Sequence, residues 1–511
     1  MKFLSFLITF LTLGLYCYGQ NQEKPNVVII YVDDLGYGDV SCNGAIGVKT
    51  PNIDKLAQNG INFTDGHCSA ATCTPSRYSL LTGNFAYRAK AAVMDGDEPA
   101  LIHPGTPTLP SMLKKYGYST AVIGKWHLGL GTGNVDWNGK ITHSPLEIGF
   151  DYSYIIPVTG DRVPCVIVEN HHVVNLDPND PIKISYKEKV GTDPTFIENP
   201  DVALYAADDQ HGKTIVNGVS RIGYMSGGNA ARWRDETIPY QMLDKARHFI
   251  DESKEEPFFL YFAFHDIHVP RLPDHRFIGT SEMGVRGDAI VQMDYFTGQL
   301  VDYIEKQGKL ENTLIIFSSD NGPVINDGYI DEAADRLGSH RPAGVFRGGK
   351  YSNFEAGTRV PTIIHYPAKI ASGQTSDALI GHIDLYASIA SLLGHKLEDN
   401  EALDSYNMLN TWLGKSKEGR PYLLEEGNSF AIRTQDWKYI QPKNPKYCTW
   451  IEEKGIESGA SLNDQLYRIS ADKSEHVNLA TEEAKQNRKM AELLTKVRKT
   501  QSSRLEIPQE K

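Results

Sequence analysis

Three uninterrupted apolar runs constrain this chain more than any other feature: Asn26–Val32 (NVVIIYV), Phe258–Phe264 (FFLYFAF) and Thr313–Ser319 (TLIIFSS). Such runs lack the polar alternation of a half-exposed strand and are the pattern of strands covered on both faces. Helical patterns separate them, running from Thr50-Pro51 to about Asn59, Thr108 to Tyr116, Tyr240 to Lys254, Asp288 to Lys306 and Ile383 to Leu393. Shorter strands are expected at Thr120–Gly124 and Pro361–Tyr366. Repeated strand–helix units predict an α/β sandwich around a large, mostly parallel sheet.

At 511 residues the chain can bury a large core, and its length suits several units or one large domain with an appendage. Composition changes after Gly394. Residues 396–511 are expected to form a smaller C-terminal α+β subdomain, with a short antiparallel sheet (Phe430–Arg433, Trp437–Ile440) and a charged helix from about Thr481 to Thr500. The turn-rich stretch from about Gly160 to Arg232 is expected to form loops over a site. The balance of 52 Lys and Arg against 64 Asp and Glu, net -12, argues against a nucleic-acid binder. It leaves room for an anionic substrate, because a few placed cations can outweigh global charge in a cleft.

Residues 1–19 read as an export signal: Lys2, the apolar run Phe3–Leu15, then Cys17-Tyr18-Gly19 before a cut at Gln20. The run is too short to span a bilayer. Cys17 raises a lipoprotein, for which the bulky Tyr16 is a poor match. The mature protein is expected to be periplasmic or secreted, without stable membrane insertion. Cys42, Cys68, Cys165 and Cys448 allow at most two disulfides in an oxidising compartment.

Chemistry-bearing residues follow the strands. Asp33-Asp34 succeed the first run and Asp320-Asn321-Gly322 the third; ligands gather at the carboxyl ends of strands in open α/β sheets. Three carboxylates and an amide form a hard oxygen set suited to Ca²⁺ or Mg²⁺ rather than zinc. Gly124-Lys125-Trp126-His127-Leu128-Gly129 follows another strand, and His265-Asp266-Ile267-His268-Val269-Pro270 follows the second run. Most informative about the chemistry is Cys73-Thr74-Pro75-Ser76-Arg77, continuing to Leu81-Thr82-Gly83. Pro75 fits a first helical position, which sets Cys73 at a helix N-terminus where anions are favoured.

That last segment resembles the signature of the formylglycine-dependent (type I) sulfatases, the arylsulfatase family of the alkaline phosphatase-like superfamily. The likeness runs from Asn26 to about Gly394 and more weakly to Asn478-Leu479. It implies an alkaline phosphatase-like α/β sandwich, with residues 20–395 as the catalytic domain. It also implies oxidation of the Cys73 thiol to formylglycine by a maturation enzyme. A divalent ion, usually calcium with magnesium the alternative, would be held by Asp33, Asp34, Asp320, Asn321 and the modified Cys73. By the same match Lys125 contacts sulfate, His127 hydrogen-bonds the formylglycine, and Arg77 holds it and neutralises charge. His268 protonates the leaving alcohol and Lys350 is a second cation on sulfate. His265 binds substrate or supports its loop. Ala356-Gly357 departs from the usual Gly-Gly pair.

The implied reaction is hydrolysis of a sulfuric ester. A hydroxyl of the hydrated aldehyde attacks sulfur, and the second hydroxyl then expels sulfate. The expected substrate is a sulfated polysaccharide or oligosaccharide of bacterial degradation, such as ulvan, carrageenan or a glycosaminoglycan. Gly160–Pro164, Arg271 and the Arg336–Arg341 stretch would line outer subsites or act as structural loops. The rival readings are a phosphoester or phosphonate hydrolase on the same scaffold, and a non-catalytic glycan-binding relative.

Overall fold

The computed structural model describes residues 24–507; the export-signal expectation for residues 1–19, with Cys17, lies outside them. The apolar runs become β1 (Asn26–Val32), β7 (Phe258–Ala263) and β8 (Thr313–Ser319), with every residue buried. They join β2 (Ile61–Phe63), β3 (Ser119–Lys125), β4 (Tyr152–Ile156), β5 (Val168–Glu169), β6 (His172–Val173), β9 (Thr362–His365) and β10 (Gln374–Ser376). The order across this ten-stranded sheet is β10-β2-β9-β8-β1-β7-β3-β4-β5-β6. From β8 to β4 the pairing is parallel. Toward the margins β8–β9, β9–β2, β4–β5 and β5–β6 are antiparallel, so the sheet is mixed rather than uniformly parallel.

Two helix groups cover it. Helices α1 (Pro51–Gln58), α4 (Ile238–Glu252) and α5 (Gly284–Lys306) pack on one another, as do α2 (Cys73–Thr82), α3 (Leu109–Lys115) and α6 (Leu385–Leu392). Double coverage is what uninterrupted apolar strands require. Helix α5 begins four residues before the sequence expectation. Its first turn is held by tertiary contacts: Arg286 makes a two-pronged ion pair with Asp39 at 2.6 and 2.8 Å, and Asp288 accepts from the backbones of Gly279 and Ser281.

Beyond residue 395, β11 (Leu423–Glu426), β12 (Phe430–Arg433), β13 (Trp437–Ile440) and β14 (Gln465–Arg468) form an antiparallel sheet against which α7 (Ala484–Lys499) packs. Its apolar residues Leu423, Ile432, Leu466 and Leu494 belong to the same core as the central strands. Strand β11 also runs beside the segment that enters α2: Ala71 N–H donates to Glu426 O at 2.7 Å, and Glu426 N–H to Ser69 O at 3.0 Å.

A buried ionic cluster reinforces this seam. Lys438 Nζ lies 3.2 Å from Glu355, 2.9 Å from Glu425 and 3.8 Å from Glu475. Arg433 reaches Asp65 and Glu355 at 3.1 Å each, and His67 pairs with Asp65 and Glu425. Among the described residues no disulfide forms; Cys42, Cys68, Cys73, Cys165 and Cys448 are free thiols.

Candidate active site

The four central parallel strands end on one floor. Strand β1 delivers Asp33 and Asp34, β8 delivers Asp320 and Asn321, β3 ends on Lys125, and β7 leads to His265 and His268. All are buried. Helix α2 starts at Cys73 itself, two residues earlier than Pro75 predicted. Proline fits the third position equally well, because N–H groups of the first turn have no helical partner to lose. All ten α2 residues are buried, and Gly83 ends the helix with φ +67°.

Cys73 Sγ lies 3.6 Å from Asp33 Oδ1. Asp33 Oδ2 accepts from Lys125 Nζ at 2.5 Å, and Lys350 Nζ stands 2.9 Å from Asp34 Oδ1. His268 Nε2 approaches Asp34 Oδ2 at 3.8 Å, while its Nδ1 pairs with Val269 O at 2.8 Å. Arg77 is spent beneath the floor: it donates to Asp320 Oδ2 at 2.7 and 3.0 Å, to Lys125 O at 3.0 Å and to Tyr261 Oη at 3.3 Å. His127 Nε2 pairs with Met94 O at 3.0 Å, whereas its buried Nδ1 has no partner. Asp34, His127 and Tyr351 hold positive φ of 58°, 56° and 71°. Such backbone costs about 1–3 kcal/mol per residue and gathers at functional sites.

Electrostatics match a site built to receive more charge. Burial and the Asp320 carboxylate raise Asp33 to about 8, against the pull of Lys125. Burial would raise Asp320 as well, yet Arg77, Lys125 and Lys350 hold it at about 2. Burial drives the Cys73 thiol well up despite Lys125 and Lys350. A thiol held protonated is a poor nucleophile. Burial, then Lys350, lowers His268 to about 4.

The donor set can hold a metal ion. Asp33, Asp34, Cys73 and His268 each offer an atom within 4.8 Å of the others. Asn321 Nδ2 donates to Asp34 Oδ1 at 2.7 Å, which leaves its buried Oδ1, an acceptor only, without a partner. Asp320 lies outside that group of four, its Oδ1 accepting from Asp34 N–H at 3.3 Å. The Asn321 loop is tightly backed, since a Cβ on Gly322 would lie 1.6 Å from Ala356 O. Gly322→Ala is therefore expected to cost about 1–3 kcal/mol by overpacking. An unchanged midpoint in thermal unfolding would contradict that contact.

Cys73, His127, His268 and Lys350 open into a cavity of about 520 Å³. Its walls include Ala91–Val93, Asp161, Arg162, His211, Asp327, Tyr351, Trp450 and Lys454. Asp161-Arg162 belongs to a loop singled out from sequence. His211, Asp327, Trp450 and Lys454 carry no motif and were missed. Burial opposes charge on His211, but Asp161 and Asp208 raise it to about 9. Arg271 is no outer subsite: it is wholly buried and bound to Ile267 O, Val324 O, Ile325 O and Asp331. The exposed Arg336 pairs with Glu332, and neither it nor Arg341 lines the cavity.

Comparisons with known proteins bear on the family and the fold. An N-acetylgalactosamine-6-O-sulfatase of Bacteroides thetaiotaomicron is 47% identical over 485 residues, covering 94% of each chain. Human arylsulfatase A is 30% identical over 498 residues, covering 92% of this chain and 88% of its own. A solved structure from the glycosaminoglycan metabolism of B. thetaiotaomicron superposes with a TM-score of 0.91 at 47% identity, over 94% of this chain and 100% of that one. The mixed sheet between helices is thus the alkaline phosphatase-like fold of such enzymes. The sequence model of the sulfatase family matches residues 25–395, and the chain belongs to that family of enzymes.

Proposed function

We propose that the protein removes the 6-O-sulfate from N-acetylgalactosamine in a glycosaminoglycan or a related sulfated glycan, using a formylglycine made from Cys73. The observation that carries this reading is the position of Cys73. It begins a fully buried helix on the floor of the cavity, within reach of Asp33, beside two buried lysines. The 47% identity to an enzyme named for that sugar and ester position supports the choice of substrate. Residues 20–395 are proposed as the catalytic domain and 396–511 as a subdomain bound to it through β11 and the ionic seam. Export to the periplasm or medium is proposed from residues 1–19. Among the described residues no helix is long and apolar enough to cross a membrane.

In this reading Asp33, Asp34, Asp320, Asn321 and residue 73 would hold a divalent ion, calcium before magnesium. When bound, such an ion polarises sulfate oxygen and favours the ionised form of a nearby hydroxyl. The aldehyde at residue 73, made by a maturation enzyme, supplies two hydroxyls on hydration where cysteine supplies a single thiol. Lys125 and Lys350 are fixed cations facing the sulfate, and preorganised charge of this kind is usually the largest catalytic contribution. Arg77 orients Asp320 and the Lys125 carbonyl from below. His127 offers its unpartnered Nδ1 to residue 73. His268, held neutral by burial and Lys350, takes up a proton from solvent as the anionic ester enters, and passes that proton to the leaving sugar oxygen. Proton donation of this kind is worth about 10²- to 10⁴-fold.

The test is release of inorganic sulfate by the matured protein from N-acetylgalactosamine carrying a 6-O- or a 4-O-sulfate, beside a 6-phosphate analogue. Release from the 6-O-sulfate is expected to dominate. Preference for the phosphate, or failure on all sulfated sugars, would overturn the assignment.

A further inference from the structure

The cavity mouth carries two side chains that the sulfate chemistry does not use. The short helix Thr449–Glu452 brings Trp450 to the rim, where its ring packs edge-on against Tyr351 with centroids 4.8 Å apart. Trp450 remains 44% exposed and lines the cavity. A large aromatic half-open at the edge of a polar cavity presents a flat apolar face, the surface on which the C–H face of a sugar ring packs. Tyr351 in turn follows Lys350, whose ammonium lies 5.5 Å from the Tyr351 ring centroid. The aromatic pair therefore leads from the rim to a cation at the floor.

Lys454 stands two residues beyond that helix. Its Nζ donates to Asp327 Oδ1 at 2.6 Å, and Asp327 Oδ2 lies 3.5 Å from Lys350 Nζ. Asp327 is thus shared between the floor cation and a second, outer cation. Its carboxyl is held well below the usual range by Lys350 and Lys454, against burial, so the carboxylate remains ionised. Lys454 keeps 18% of its side chain exposed and lines the cavity beside Trp450. An ammonium has three donors, and a chain of Lys350, Asp327 and Lys454 leaves the outermost facing incoming substrate.

We propose that Trp450 and Lys454 form an outer subsite for a second sugar bearing an anionic group, with Trp450 packing on the ring and Lys454 pairing with the anion. A uronic acid carboxylate and a second sulfate share the chemistry Lys454 recognises. The proposal rests on the reading of the floor as a sugar-sulfatase site, and it makes the enzyme a reader of the neighbouring residue as well as of the ester.

The experiment compares kcat/KM for 6-O-sulfated N-acetylgalactosamine alone with three disaccharides, in which the neighbour is a uronic acid, a neutral hexose or a sulfated hexose. The wild-type protein is expected to prefer the acidic disaccharides over the neutral one by about tenfold, the worth of one charge-assisted contact. A preference for the uronic acid over the sulfated hexose, or the reverse, identifies the source of the anion. Lys454→Met should abolish the preference for an anion and Lys454→Arg should restore most of it. Trp450→Ala should lower the advantage of every disaccharide over the monosaccharide, with a rise in KM rather than a fall in kcat. Equal values for all four substrates, or variants that scale all four alike, would overturn the subsite while leaving the floor assignment standing. Failure on all four would instead remove the sulfatase reading beneath it.

Discussion

Replacing Cys73 with alanine is expected to abolish sulfate release, by at least about 10⁴-fold, because loss of a covalent nucleophile removes the reaction path rather than one contact. The fold should survive. Sγ makes a single 3.6 Å approach to Asp33, and α2 is held by full burial and by Ser76 N–H donating to Thr72 O. Cys73→Ser is the sharper variant. It keeps a hydroxyl in place, and wherever that alcohol is left unoxidised the protein should form at most one covalent sulfate and then stall. Turnover within about tenfold of wild type by Cys73→Ala, or by Cys73→Ser shown by mass spectrometry to carry no aldehyde, would remove residue 73 from the chemistry.

The largest expected stability effect lies away from the cavity. Lys438 is wholly buried between Glu355, Glu425 and Glu475. Removing one partner of a buried ionic cluster costs about 3–5 kcal/mol, since the charges left behind have neither water nor counter-ion. Lys438→Met should show that loss in chemical denaturation. Its pH dependence has a definite sign. In the native protein Glu355 and Glu425 are held below the ordinary glutamate range, against burial, by Lys438 together with Arg433 and His67. Carboxyls with depressed folded pKa stabilise above their unfolded value and lose that contribution as pH falls through the folded one. The gap between wild type and Lys438→Met should therefore narrow below about pH 4, while Glu475, which burial raises to about 8 against the pull of Lys438, widens it further above neutrality. A gap that is flat with pH, or under about 1 kcal/mol, would show that the cluster is not what couples the two sheets. Activity should fall with stability, because β11 is hydrogen-bonded to the segment entering α2.

The central strands were legible because burial on both faces leaves no polar positions to confuse the pattern, and their ends located Asp33, Asp34, Lys125, His268 and Asp320 before any coordinates. The marginal strands were not. Ile61–Phe63, Val168–Glu169, His172–Val173 and Gln374–Ser376 are too short for periodicity to register. The start of α5 was misplaced because Gly284 and Gly287 are poor helix formers that tertiary pairing of Arg286 and Asp288 overrides. The walls of the cavity were the least legible. Asp327, His211, Trp450 and Lys454 come from loops far apart in sequence, and only the fold brings them together. Arg271 stayed open between a subsite and a structural role for a related reason: a buried guanidinium that satisfies carbonyl oxygens looks, in sequence, like one that meets an anion.

Sulfate release depends on the oxidation state of one side chain. Preparations containing different fractions of aldehyde at residue 73, quantified by mass spectrometry of the Cys73 peptide, should release sulfate from the 6-O-sulfated sugar in direct proportion to that fraction, with none at zero. Full turnover by protein whose residue 73 is entirely thiol would contradict it.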